Sequence, residues 1–178
     1  MRRFLLLVAI SFSPLVMAGE FTLSSGDLSP DAPVPMRHVY DGYGCQGENI
    51  SPALSWSGAP EGTKSFALTA RDPDAPTDGG WWHWIVYDLP ATSDSLRRGA
   101  SAQALPQGAA QATNDFGQRA WGGPCPPKGD EPHRYRFKVY ALDTSELEIP
   151  EDATPAMADA RIQAHALDKA TLTIRYGR

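Results

Sequence analysis

The chain has 178 residues, which is enough for one domain of ordinary size and too few for two. Hydrophobic residues make up 42% and charged residues 21%, as in folded globular proteins, which argues against extensive disorder. The net charge of -5 argues against nucleic-acid binding through a basic surface. Glycine and proline number 16 each, a share that favours a loop-rich, mainly β protein over a helical bundle.

The first residues have the composition of a secretory signal peptide. Arg2 and Arg3 give a basic start, residues 4–16 are mostly apolar, and small or aliphatic residues lead up to Ala18. This order is typical of a Sec-type signal peptide that is cleaved after Ala18, which predicts a periplasmic or secreted location. A membrane anchor is the alternative, but serine and proline interrupt the short apolar run. No later segment is predicted to span a membrane.

Cleavage would leave residues 19–178, and no repeat or low-complexity linker divides them, so a single domain is predicted. Its two cysteines, Cys45 and Cys125, both lie in loops rich in glycine and proline. In an oxidising compartment such a pair favours a disulfide, although two free thiols are the alternative. The absence of a CxxC motif argues against a structural zinc site.

Hydrophobic patterns predict strands along most of this domain. Residues 64–72 and 133–140 place apolar side chains at every second position, as in strands with one buried face. Residues 82–88 are mostly aromatic and β-branched, which is typical of a strand that is buried on both faces. Further strands are predicted at 21–23, 51–56 and 172–176.

One helix is predicted late in the chain. Thr154 is a suitable N-cap, and Pro155 fits the first helical position. The helix is expected to continue over residues 156–170. The side chains expected on its buried face are Met157, Ala160, Ala164 and Leu167.

Four ionisable side chains stand at the ends of predicted strands, on faces that are otherwise apolar. Asp72 ends the first clear strand, and His83 begins the next. His133 and Tyr135 open the third strand, directly after a long loop at residues 115–132. Long loops of this kind are usually functional. The pattern predicts an apolar pocket with a few convergent polar groups, as small-ligand sites have.

These residue types favour an anionic ligand. Two histidines and a tyrosine can donate hydrogen bonds, and the backbone N–H groups of Gly122 and Gly123 could add further donors. Asp72 beside the histidines would fix their tautomers or raise their pKa, which favours the cationic form. The alternative is that His83 and His133 are buried core residues without a ligand.

Several motifs, taken in order, are similar to those of one known family. They are Asn49-Ile50-Ser51-Pro52, Asp72-Pro73-Asp74-Ala75-Pro76, Trp81-Trp82-His83-Trp84, Gly122-Gly123-Pro124 and His133-Arg134-Tyr135-Arg136-Phe137. Together they resemble the phosphatidylethanolamine-binding protein family, and within it the bacterial Raf-kinase-inhibitor-like branch. The resemblance extends from Phe21 to Tyr176, which is nearly the whole predicted domain.

The resemblance implies a mainly β fold, a sandwich of two sheets with one or two short peripheral helices. It also implies a pocket near one end that binds phosphate-like anions, including phospholipid head groups. The positions that match the family's pocket residues are Asp72, Pro76, Trp81, His83, Gly123, His133 and Tyr135.

The chain departs from the family pattern in two places. Trp121 stands where many members have tyrosine. The sequence stops at Arg178, without the C-terminal helix that borders the pocket in eukaryotic members. A more open pocket is therefore expected, which argues against enclosure of lipid chains. Kinase inhibition, the eukaryotic role, is hard to reconcile with export.

These features favour a binding protein without catalytic activity, cofactor or metal, whose ligand is a small anion such as phosphate or a phosphorylated head group. One alternative is a regulator or inhibitor of another protein, similar to protease or kinase inhibitors, that acts through the same pocket. Another is a hydrolase that uses Asp72, His83 and His133 as acid, base or zinc ligands. The lack of a nucleophile motif or HExxH spacing disfavours the hydrolase. Bacterial relatives suggest a homodimer.

The export hypothesis predicts the first residue of the mature protein. N-terminal sequencing of protein from a periplasmic fraction should begin at Gly19, because signal peptidase would remove the preceding segment. An intact Met1 on cytoplasmic protein would contradict this prediction.

Overall fold

The computed structural model describes residues 19–178, and the predicted signal peptide lies outside these residues. The strands are β1 (Thr22–Ser24), β2 (Asp41–Gly42), β3 (Cys45–Gln46), β4 (Leu54–Ser57), β5 (Ser65–Asp72), β6 (Trp81–Pro90), β7 (Ser95–Leu96), β8 (Ala110–Gln111), β9 (His133–Leu142) and β10 (Ala166–Tyr176). The helices are α1 (Ala100–Gln103) and α2 (Pro155–Ala164), with a 3₁₀ turn at Met36–His38. Every predicted strand is present, and the fold is mainly β as expected.

Two antiparallel sheets form a sandwich. The larger sheet has five strands in the order β10-β9-β5-β6-β8, and the smaller has three in the order β1-β4-β7. Strands β2 and β3 form a separate hairpin. The central strand β5 pairs with its sequence neighbour β6 on one side and with the distant strand β9 on the other. This pairing brings the ends of β5, β6 and β9 together.

Aromatic side chains fill the space between the two sheets. Trp56 of the smaller sheet contacts Phe66 of the larger one, with ring centroids 5.5 Å apart. Trp84 and Phe137 are fully buried in the same core. Burial of a side chain of this size contributes about 1.5–3 kcal/mol, so this layer is a main source of the sandwich's stability.

A second core lies on the opposite face of the larger sheet, beneath α2. Ala158 and Ile162 of the helix are fully buried, as are Ile85 and Leu142 of the sheet. The strands β5, β6 and β9 are therefore largely covered on both faces. This explains the continuous apolar run that the sequence shows in β6.

The α2 helix differs from its prediction at its end and on its face. Thr154 is the N-cap, and its Oγ1 accepts a hydrogen bond from Met157 N at 3.2 Å. The helix ends at Ala164, because β10 begins at Ala166 and pairs with β9. The predicted buried residues Met157, Ala160, Ala164 and Leu167 are all exposed, so that part of the prediction is wrong.

Neither α-helix within residues 19–178 has the length and apolarity needed to cross a membrane. The longer one, α2, has ten residues.

The predicted disulfide between Cys45 and Cys125 is confirmed. The two Cα atoms are 6.0 Å apart, and the bond joins residues 80 positions apart in the chain. Cys45 begins the second strand of the β2–β3 hairpin, whose two-residue turn is Tyr43 and Gly44. Both turn residues have positive φ, as in the type I′ turns that are common in such hairpins. The disulfide ties this hairpin to the long loop at residues 112–132, which has no helix or strand.

Loss of the disulfide should destabilise the domain. A variant with Cys45→Ala and Cys125→Ala should lose roughly 2–4 kcal/mol of unfolding free energy, because the unfolded chain regains the entropy that an 80-residue closure removes. Urea unfolding of the oxidised protein, the reduced protein and the double variant measures this. Equal unfolding midpoints for all three would contradict the prediction.

Candidate functional site

A pocket opens where the ends of β5, β6 and β9 meet the hairpin and the long loop. Its volume is about 210 Å³. Its lining comprises Tyr43, Asp72, Ala75, Pro76, Thr77, Trp81, His83, Phe116, Cys125, Pro126, Pro127, His133 and Tyr135. The walls are mostly apolar, and the polar groups concentrate at the strand ends.

Six of the seven sequence-predicted site residues line this pocket, and Gly123 does not. Gly123 is packed against the backbone around the 3₁₀ turn, where an added Cβ would lie 2.2 Å from His38 O. Its N–H donates to Asn49 Oδ1 at 2.7 Å, and Gly122 N–H donates to His83 O at 2.9 Å. Both predicted backbone donors are therefore already engaged, and these glycines allow close packing rather than ligand contact.

Asp72 organises the start of the loop between β5 and β6. Its Oδ1 accepts hydrogen bonds from Asp74 N at 2.8 Å and Ala75 N at 3.1 Å. A side-chain carboxylate that binds the backbone two residues on is a common turn-forming device. Pro73, which lies between Asp72 and Asp74, has no N–H group and therefore leaves no donor unsatisfied in this turn. The other oxygen, Oδ2, lies beside the ring of His133.

A buried carboxylate–imidazole pair forms one wall of the pocket. Asp72 Oδ2 lies 2.7 Å from His133 Nδ1, and both side chains are almost completely buried. Since an ionised carboxylate only accepts hydrogen bonds, Nδ1 carries the hydrogen. His133 Nε2 is then the ring atom available to other groups. Asp130 Oδ2 lies 3.6 Å from it, beyond hydrogen-bond distance.

His83 is held in a neutral form. Its Nδ1 lies 2.6 Å from the carbonyl oxygen of Gly122, which can only accept, so Nδ1 donates and Nε2 carries a lone pair. Burial lowers the pKa of His83 to about 4, although Asp72 acts in the opposite direction. The expectation that Asp72 would favour a cationic His83 is therefore wrong, because the loss of hydration outweighs the nearby charge.

Tyr135 contributes a buried hydroxyl group. The side chain is 1% exposed, and its hydroxyl makes no hydrogen bond with the geometry required. Burial, and secondarily the Asp72 carboxylate, raise the pKa of Tyr135 far above its ordinary value. The phenol therefore keeps its proton and is a potential donor inside the pocket.

Arg134, the neighbour of His133 on β9, does not line the pocket. Arg134 forms a two-pronged ion pair with Asp74, and Arg134 Nε lies 2.8 Å from Asp74 Oδ2. The Arg134 guanidinium holds the pKa of Asp74 well below its usual range. The pair fixes the loop between β5 and β6 against β9. No lysine or arginine is among the described residues that line the pocket.

The pocket mouth has an aromatic rim that the sequence analysis did not predict. Tyr40 stacks on Phe116 with ring centroids 4.3 Å apart, and Tyr43 stacks on the same ring at 5.9 Å. Tyr43 is 69% exposed at the tip of the hairpin. Its position could have been inferred from the predicted disulfide, since Cys45 is two residues away and its partner Cys125 lines the pocket.

Within residues 19–178, no three histidine, cysteine, aspartate or glutamate side chains are grouped in a way that could hold a metal ion.

Comparisons with known proteins agree with the fold and the motifs. The phosphatidylethanolamine-binding protein family model matches residues 24–177. The Escherichia coli UPF0098 protein YbcL is 44% identical over 173 residues, which cover 96% of this chain and 93% of that protein. The Escherichia coli UPF0098 protein YbhB is 45% identical over 156 residues, which cover 86% of this chain and 98% of that protein.

A solved structure of the same family has the same fold. The crystal structure of Escherichia coli YbcL, described as a new member of the mammalian PEBP family, superimposes with a TM-score of 0.87 at 45% identity. The superposition covers 90% of this chain and 99% of that one.

The buried neutral His83 predicts that stability decreases in mild acid. The unfolded chain takes up a proton near the ordinary histidine pKa of 6.5, whereas the folded protein resists it down to about 4. The contribution of neutral His83 to the free energy of unfolding is therefore fully present above pH 6.5. It is lost as the pH falls, by up to about 1.4 kcal/mol per pH unit. Urea unfolding between pH 7 and about 4.5 should show a smaller slope for His83→Gln than for the wild type.

His38→Gln is the control for this measurement, because burial also lowers the pKa of His38. The change in slope in that variant gives the share of the pH dependence that is due to His38. Identical pH slopes in the wild type and His83→Gln would contradict the prediction.

Proposed function

Because the chain belongs to the phosphatidylethanolamine-binding protein family, we propose that it is an exported, non-catalytic protein that binds a small anion in this pocket. The ligand is a phosphate ester or a chemically similar phospholipid head group. The pocket is the binding site, with Asp72, His83, His133 and Tyr135 at its base and Trp81 and Pro76 in its walls.

The observation that carries this proposal is the unpartnered hydroxyl of Tyr135. Buried polar groups are nearly always hydrogen-bonded, and a donor left without a partner costs about 1–3 kcal/mol. Tyr135 tolerates this cost beside a cavity and next to a second buried polar pair, Asp72 and His133. A ligand oxygen that accepts from Tyr135 would remove the cost on binding.

The walls of the pocket suit an organic group attached to that anion. Trp81, Phe116 and the prolines at 76, 126 and 127 surround the polar base with apolar surface. Small-ligand sites commonly combine such walls with a few polar groups that fix orientation. A phosphate ester presents both parts, with oxygens for the base and an organic substituent for the walls.

The absence of catalysis is part of the proposal. Of the described lining residues, Cys125 is bound in the disulfide and the hydroxyl of Thr77 donates to Gly80 O at 2.8 Å. Neither is placed beside His133 as an activated nucleophile would be. A hydrolase is nevertheless a second candidate, because the Asp72–His133 pair has the form of an oriented general base.

Location and partners complete the proposal. The Cys45–Cys125 disulfide supports export, since such bonds persist mainly in oxidising compartments. Regulation of another protein through the same pocket stays a prediction, which the exposed Tyr43 at the mouth favours. The homodimer also stays a prediction, and size-exclusion chromatography with light scattering measures it.

The proposed function predicts a selective loss of affinity in Tyr135→Phe. The variant keeps the ring but removes the donor, so calorimetric titration with phosphorylethanolamine should show binding weakened roughly 10- to 150-fold. The stability of the variant should not fall, because the hydroxyl has no partner to lose. Tyr140→Phe is the matched control, since Tyr140 is buried in the core beneath α2 and its hydroxyl lies 3.4 Å from Asp159.

Two outcomes of this experiment would overturn the proposed function. Equal affinities in the wild type and Tyr135→Phe would show that the ligand does not bind in this pocket. Turnover of phosphate or carboxylate esters by the wild type, lost in His133→Gln, would establish the hydrolase instead.

A further inference from the structure

The charges around the pocket oppose the entry of an anion. The described lining residues include the buried carboxylate of Asp72 and no lysine or arginine. Asp130 adds a second carboxylate 3.6 Å from His133 Nε2. The guanidinium of Arg134 is already paired with Asp74, and that of Arg178 is hydrogen-bonded to the carbonyl oxygens of Pro126, Gly44 and Tyr43 at the pocket rim. An anion that entered this site unaccompanied would meet net negative charge at short range.

The hydrogen-bond donors at the base of the pocket are also few. The N–H groups of Asp74 and Ala75 bind Asp72 Oδ1, and those of Gly122 and Gly123 are engaged elsewhere. His83 presents a lone pair at Nε2, because its Nδ1 donates to Gly122 O. Of the described groups at the base, only the hydroxyl of Tyr135 is a ready donor, whereas the Trp81 N–H and the Tyr43 hydroxyl belong to the wall and the rim. One neutral donor at the base is too little for an ion with several acceptor oxygens.

We infer that an anion enters this pocket together with one proton, which His133 takes up at Nε2, so that ligand binding is coupled to protonation. This inference rests on the proposed function of the pocket. The proton comes from solvent and converts the imidazole to an imidazolium. His133 then donates from Nδ1 to Asp72 and from Nε2 to the anion, and the added charge compensates the anion's own.

His133 is placed to accept this proton, and His83 is not. His133 has the Asp72 carboxylate at 2.7 Å on one side and the Asp130 carboxylate on the other, and both favour the cation. His83 has a carbonyl, and not a carboxylate, as the partner of its Nδ1. Burial opposes its protonation, and a proton on His133 would oppose it further.

The charged and titratable groups around His133 come from every neighbouring element. They are Asp72 on β5, Asp74 with its partner Arg134, His83 on β6, Asp130 in the loop before β9, Tyr135 on β9 and Tyr176 opposite on β10. The carboxylates of Asp72, Asp74 and Asp130 stabilise a proton on His133, and Arg134 offsets Asp74. Tyr135 remains a neutral donor in the range where histidine titrates, about pH 5 to 8, because burial raises its pKa.

Sulfate distinguishes proton uptake by His133 from the alternative that the ligand itself brings the proton. It carries no proton of its own in the range of about pH 5 to 8, whereas phosphate and its esters titrate near the same pH as histidine. Calorimetric titration of the full mature protein with sodium sulfate, in buffers of different ionisation enthalpy, gives the number of protons taken up. Inorganic phosphate serves as the second ligand.

The wild type should take up close to one proton per sulfate near pH 7. Its affinity should fall by up to about tenfold per pH unit above the histidine range. His133→Gln should bind sulfate more weakly, with no proton uptake and no pH dependence. His165→Gln is the matched control, since His165 is exposed and pairs with Asp143 outside the pocket. It should behave as the wild type does.

A second measurement keeps the test decisive if His133→Gln does not fold. The ring ¹⁵N chemical shifts of the wild-type histidines distinguish imidazole from imidazolium, and sulfate should convert His133 alone to the cation. Sulfate binding without proton uptake would overturn the inference, as would uptake that persists in His133→Gln. Binding of phosphate but not sulfate would also overturn it, because the ligand would then bring the proton. Failure of both anions to bind at any pH would instead overturn the proposed function.

Discussion

The site depends on the two oxygens of one carboxylate. Asp72 Oδ1 fixes the backbone of the loop that follows β5, and Oδ2 fixes the ring of His133 on β9. These bonds join a turn to a strand that begins 61 positions later. An ionised carboxylate is tolerated at this depth because both oxygens are satisfied. Loss of either partner would leave a buried charge without compensation, so loop geometry and imidazole orientation are set together.

Burial at the base of the pocket also determines the protonation state of His83 and the hydrogen bonding of Tyr135. His83 is neutral because hydration is lost around it, and the hydroxyl of Tyr135 is buried near the Asp72 carboxylate without a well-formed hydrogen bond. A core selected for stability alone would replace both with apolar side chains of similar shape. Residues that cost stability at the edge of a cavity are typical of sites where binding supplies the missing interaction.

Local sequence patterns identified the strands, whereas the end of α2, the state of His83 and the role of Gly123 depended on long-range packing. Alternation located β5 and β9, and polar residues at strand ends located the pocket, because strand period and burial follow directly from sequence. The end of α2 depended on competition with the β9–β10 ladder, which helical periodicity does not reveal. The charge state of His83 depended on its burial, and its tautomer depended on the carbonyl of Gly122, 39 positions away in the chain. The packing role of Gly123 depends on the backbone of His38 lying close to it, a contact that the local sequence does not reveal.

The order of the strands also determines when the pocket can exist during folding. Its base combines the end of β5 with the start of β9, and these strands pair residues that are 65 to 77 positions apart in the chain. Contacts of such high sequence separation form slowly, because the entropy of closing the intervening chain is lost first. The pocket is therefore a late product of folding and is absent from any partly folded chain. A ligand that binds it recognises only the finished protein, and its binding energy adds in full to the native state.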